Sequence, residues 1–177
     1  MMWSTNSMRN GLLIAGVFLL APVLSVFAGE KAGVMEKLAA LEGDWMLLDE
    51  DGRETDVVGS SFRLTAGGSA VVETMFPNSS DGHEMVNMYH ADGDRVLMTH
   101  YCAAGNQPRL VVETTDDENR LELRFESITN LATPDSTYMS EAVYVFHGDD
   151  RLTTRWRSMS GGELTEETTT IELKRRK

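Results

Sequence analysis

The sequence predicts an all-β fold, a closed antiparallel barrel of roughly eight to ten strands behind a short N-terminal helix. Three observations carry that expectation. Beyond Trp45 helical spacing of apolar residues gives way to short β-rich runs. Those runs are separated at regular intervals by Asp51-Gly52, Gly67-Gly68, Asp92-Gly93, Gly105-Asn106, Asp117-Glu118-Asn119, Gly148-Asp149 and Gly161-Gly162, which are hairpin-centre chemistry. Several runs also alternate charged and apolar residues, as strands with one wet and one dry face do.

The chain opens on Arg9, then an uncharged apolar run to Leu24, then Val26-Phe27-Ala28. A positive start, a greasy run shorter than the ~18–20 residues of a spanning helix and small residues at its end predict an export signal over residues 1–28, cleaved after Ala28. The remainder, residues 29–177, is roughly 150 residues long, one domain with a core of its own. Periplasmic or secreted localisation follows, with no membrane insertion once the signal is gone. Within Glu30–Leu41, Val34, Leu38 and Leu41 recur at helical spacing and predict an amphipathic helix across one barrel end.

Faces follow from pairing. With Asp92-Gly93 and Gly105-Asn106 as centres of two-residue turns, Val86, Met88, His90, Leu97, Thr99, Tyr101, Leu110 and Val112 share a face with Leu121, Leu123 and Phe125. Glu122, Arg124 and Glu126 occupy the other, so the first set is expected inside. Centres at Gly148-Asp149 and Gly161-Gly162 likewise bring Val143, Val145, Leu152, Thr154, Trp156, Glu167, Thr169, Ile171, Leu173 and Arg175 together. Around Gly67-Gly68 the register is ambiguous, and Glu73 has no assigned side. Ser127–Ser140, with Asn130, Pro134 and Asp135, reads as the longest loop, either a lid or a plain connection.

Charge excludes some partners. The chain carries 28 acidic against 16 basic residues, and such a surface repels nucleic-acid phosphates and anionic lipid. The lone Cys102 leaves no internal disulfide.

The expected ligand-binding set is the polar part of the interior face: His90, Thr99, Tyr101, Thr154, Trp156 and Glu167, with Thr169 beside them. A greasy wall with a few convergent polar groups is how pockets hold small molecules. His83, His100 and Cys102 fall together on the opposite, outer face, without the tight spacing of a zinc clamp, and no metal site is expected. Cys102 with a histidine two residues away on a strand is ~7 Å from it, and no Gly-x-Ser-x-Gly elbow occurs, so no catalytic residue is assigned. His90 is the inward histidine available to haem; no cofactor is expected.

Gly43-Asp44-Trp45 and Ile171-Glu172-Leu173-Lys174-Arg175 resemble the opening and closing strands of calycin barrels, the lipocalin and fatty-acid-binding-protein group. That resemblance implies Trp45 lying under Arg175 at the closed end, a cation–π contact worth ~0.5–2 kcal/mol. Glu84–His90, Thr99-His100-Tyr101-Cys102 and Gly105-Asn106-Gln107-Pro108-Arg109 further resemble a family of small exported lipocalin-like bacterial barrels of unassigned function. The family places a His where this chain has Tyr138, so a haem or metal role at that position does not carry over. Together these readings lead to an exported barrel that carries, scavenges or senses a small apolar or amphipathic molecule. The alternatives are a barrel enzyme with His90 or His100 as general base, a haem-binding barrel, and a filled barrel that docks a partner through Asn87, Tyr89, His100 and Arg109.

Overall fold

The computed structural model describes the backbone of residues 23–177 and the side chains from Gly29 onward. Most of the expected signal segment lies outside the described residues. The described part begins in a helix, α1 (Val23–Ala39), and continues in strands β1 (Gly43–Leu48), β2 (Glu54–Thr65), β3 (Ala70–Met75), β4 (Met85–Asp92), β5 (Arg95–Tyr101), β6 (Gln107–Thr114), β7 (Arg120–Thr129), β8 (Tyr138–Phe146), β9 (Arg151–Ser160), β10 (Glu163–Leu164) and β11 (Thr169–Arg175). Every neighbour is antiparallel, and pairing of β8 with β9 closes the sheet. Ten strands form the wall; β10 is a two-residue ribbon on the end of β9. Closure leaves the wall without an unpaired edge.

The helix plugs one end. Val34, Leu38 and Leu41 are buried in the same apolar cluster as Val96, Val112 and Trp45. Lys31 Nζ donates to the Gly93 carbonyl at 2.7 Å, and Lys37 to that of Glu118, tying the helix to two hairpins. Trp45 is buried beneath the helix C-terminus, its indole Nε1 donating to Leu41 O at 2.8 Å. Arg175 Cζ stands 4.4 Å from the Trp45 ring centroid. Its guanidinium donates to Ala40 O at 2.7 Å, Glu42 O at 2.8 Å and Asp149 O at 2.8 Å. The cation thus covers the indole and satisfies carbonyls that a helix end leaves without partners.

Two hairpins overturn part of the expected facing. The β5–β6 loop holds three residues, Ala103-Ala104-Gly105, not two: Cys102 N donates to Asn106 O, Gly105 N returns to Cys102 O, and Gly105 sits at φ +83°. Val96 consequently faces Val112, and Met98 faces Leu110. One extra loop residue exchanges the two faces of every strand upstream of it. Val86, Met88, His90, Leu97, Thr99 and Tyr101 therefore lie on the outer face, whereas Asn87, Tyr89, Val96, Met98 and His100 point inward. The β8–β9 turn has the same odd count, with His147 N donating to Arg151 O and Phe146 opposite Leu152. That turns Val143 and Val145 outward and Ala142 and Tyr144 inward. Leu110, Val112, Leu121, Leu123, Leu152, Trp156, Ile171 and Leu173 are buried inside, on the face the sequence assigns them. The Ser127–Ser140 loop is shorter than expected, residues 130–137, because β7 runs to Thr129 and β8 begins at Tyr138.

Candidate functional site

Glu73 lies halfway along the barrel, fully buried. Its position follows from β3 alternation: Val71 and Met75 are buried on either side of it, and Phe62 faces it from β2. Ser60 Oγ donates to Oε1 at 2.7 Å; Asn87 Nδ2 and Tyr89 OH each donate to Oε2 at 2.7 Å, and Tyr144 OH reaches the same oxygen at 3.0 Å. The two phenols are 2.7 Å apart. Each phenol has one proton, so the distances favour Tyr89 donating to the carboxylate and Tyr144 donating to Tyr89. Burial, and then the charge of Glu73, push both phenols well above the usual tyrosine range. A buried carboxylate supplied with this many donors is held as an acceptor.

The network continues to His100. Its Nδ1 is 2.6 Å from Asn87 Oδ1. Asn87 must present its NH2 to the carboxylate, which leaves its carbonyl oxygen for His100; Nδ1 therefore carries the proton, and Nε2 carries the lone pair. Burial lowers the ring's pKa from 6.5 to about 4, so the imidazole is neutral near pH 7. Nε2 is buried with no hydrogen-bond partner. Trp156 tilts against the ring at 5.5 Å between centroids, and Tyr144 meets Trp156 edge-on at 5.9 Å.

His100 lines a small chamber of about 60 Å³ with Met75, Phe76, Met85, Met139, Trp156, Thr169 and Ile171, toward the barrel end opposite the helix. Outside it lies a groove of about 520 Å³ between Val57-Val58 and the segment from Phe76 to Met85. Phe76 and Met85 line both. Phe76 is held at φ +49°, a costly conformation for an aromatic residue, pinned by its N–H on Gly59 O at 2.8 Å.

Of the six residues expected to bind ligand, Thr154 and Trp156 are inside, and Trp156 Nε1 donates to Thr154 Oγ1 at 3.1 Å. His90 lies outside, against its own neighbour's carbonyl, Ala91 O; Thr99 and Tyr101 share that outer face, Tyr101 being 49% exposed. Glu167 is exposed in the link between β10 and β11. The haem expectation that rested on an inward His90 loses that residue. The outer trio of His83, His100 and Cys102 is likewise divided: His83 pairs with Asp81 in the β3–β4 loop, while His100 is internal. Among the described residues no three His, Cys, Asp or Glu side chains gather as a metal site. Sequence reasoning missed Ser60, Glu73, Asn87, Tyr89 and Tyr144. Only the length of the turn ending on Gly105, three residues and not two, would have turned Asn87 and Tyr89 inward, and the sequence does not give that length; Glu73 stands among Val71, Val72 and Met75 with nothing local to choose its side.

A closed antiparallel barrel with a helix over one end is compatible with calycin-like architecture. No protein-family model matches the chain, and no curated protein matches it significantly.

Proposed function

We propose that this chain is an exported, calycin-like binding barrel that takes up a small, largely apolar molecule as carrier, scavenger or sensor outside the cytoplasm. The observation that carries the reading is the open end, where a groove of about 520 Å³ adjoins the inner chamber across Phe76 and Met85. That volume is in the range of small-molecule sites. Val57, 47% exposed, and Phe76, Pro77 and Met85 offer apolar surface there, while Asn78 and Ser79 offer polar contacts. Binding is partition, with apolar ligand area leaving water at ~25 cal/mol per Å² and the few polar groups setting orientation. The acidic surface favours neutral or cationic ligands over phosphates. General-base catalysis by His100 is the second reading, favoured by its Asn87 link to Glu73. A ring whose pKa is about 4 makes a weak base near neutrality, which counts against it.

Native mass spectrometry of protein purified from its own host is the test. The expected result is a co-purifying organic molecule whose occupancy falls in Val57→Asp protein. Apo mass alone, with no added species in either protein, contradicts the reading.

A further inference from the structure

The groove outside the chamber has two unlike sides, and together they select a class of ligand. Its inner side meets the chamber across Phe76 and Met85, and no polar atom reaches the chamber surface. Its outer side carries one carboxylate, Asp81, and the residues lining the groove include no Lys or Arg. We infer that the ligand is an apolar amine, a monocation whose carbon body lies along Val57, Val58, Phe76 and Met85 with its ammonium beside the Asp81 carboxylate.

Three observations converge on that class. The first is charge. A ligand carboxylate or phosphate would find no Lys or Arg lining the groove and would face Asp81, on a chain whose formal net charge is −12. An ammonium meets the opposite field. The second is the state of Asp81. Ser79 Oγ donates to its Oδ1, and His83 Nδ1 stands 2.9 Å from its Oδ2. Those contacts hold the carboxyl down to about 2, so it is ionised at neutral pH. They also leave it room to accept, since the two oxygens of a carboxylate offer about four lone-pair sites. The segment that carries it is pinned: Phe76 N donates to Gly59 O at 2.8 Å, Asn78 N to Glu84 Oε2 at 3.2 Å and His83 N to Ser79 Oγ at 3.2 Å. A carboxylate fixed in advance loses little freedom on binding. The third observation is the division into dry and wet. The chamber holds about 60 Å³, enough for a narrow chain end and no ring. A charged head cannot follow that end inward without losing its water, so the charge stays outside, where the Asp81 side chain is 66% exposed.

The inference rests on the groove-binding reading and narrows it to one ligand chemistry. Its test is titration calorimetry with octylamine, alongside 1-octanol and octanoate as neutral and anionic counterparts, at low and at high salt. At low salt the amine should bind at one equivalent and about threefold tighter than the alcohol, the gain that an exposed ion pair supplies. Octanoate should bind weakest, and high salt should close the gap between amine and alcohol. Asp81→Asn should remove the amine's advantage and leave the alcohol's affinity unchanged, which a collapsed groove would not do. Equal binding of amine and alcohol at low salt, tightest binding of octanoate, or an amine advantage kept in Asp81→Asn overturns the inference while the groove reading stands. Binding of none of the three overturns both.

Discussion

The buried neutral state of His100 has a measurable consequence for stability. The unfolded ring titrates near 6.5 and the folded ring near 4, because burial disfavours its charged form. Above pH 6.5 the group imposes no cost on the fold. As pH falls below that value the unfolded chain takes up a proton that the folded chain refuses until about pH 4, so stability is lost across that window. The whole loss is about 3 kcal/mol, and the part falling between about pH 7.5 and pH 5 is about 2 kcal/mol. Urea unfolding over that range, in wild type and in His100→Phe, isolates the contribution, since other titrating groups are common to both proteins. The phenyl ring keeps the contact with Trp156 but leaves Asn87 Oδ1 without its donor, so the variant starts about 1–3 kcal/mol weaker at neutral pH. The stability gap between the proteins should shrink by about 2 kcal/mol on acidification. Parallel pH curves would refute the reasoning, because they would mean that His100 titrates alike in both states.

Other outcomes follow from the same geometry. Trp45→Ala should cost about 3–5 kcal/mol in urea unfolding, because a fully buried indole under the helix is removed. Arg175→Gln should cost less, about 1–3 kcal/mol, through the carbonyls of Ala40, Glu42 and Asp149 left short of donors. Raising pH past about 10 should destabilise the protein, since unfolded tyrosines ionise there while Tyr89 and Tyr144 resist; Tyr144→Phe should flatten the alkaline slope in thermal melts. At Gly59 an added Cβ would come within 2.6 Å of Leu173 Cδ2, itself buried in the core, so Gly59→Ala should cost about 1–3 kcal/mol by overpacking.

Much of the wall was legible because charge marks its outer face. Glu122 and Arg124 alternate with Leu121 and Leu123, and Arg155 with Thr154 and Trp156, so those strands declare their orientation. The helix over the barrel end was legible from the spacing of Val34, Leu38 and Leu41. The interior site was not. Strand β4 reads Met-Val-Asn-Met-Tyr-His, with polar and apolar residues on both faces, so its orientation is inherited from the next turns. A glycine marks the Cys102–Asn106 turn without revealing whether two or three residues make it, and that single count decides whether Asn87, Tyr89 and His100 face the core or water. Glu73 was opaque for another reason: a charged residue is placed inside only when distant strands supply its donors, here Ser60, Asn87, Tyr89 and Tyr144.

The protonation pattern of His100 tests the central claim most directly, because it depends at once on the barrel register, on the Asn87 link and on the open lone pair. Nitrogen-resolved NMR of the histidine rings at neutral pH should show His100 as the neutral tautomer with its proton on Nδ1 and an unprotonated Nε2. A proton on Nε2, or a doubly protonated ring at that pH, would contradict the account.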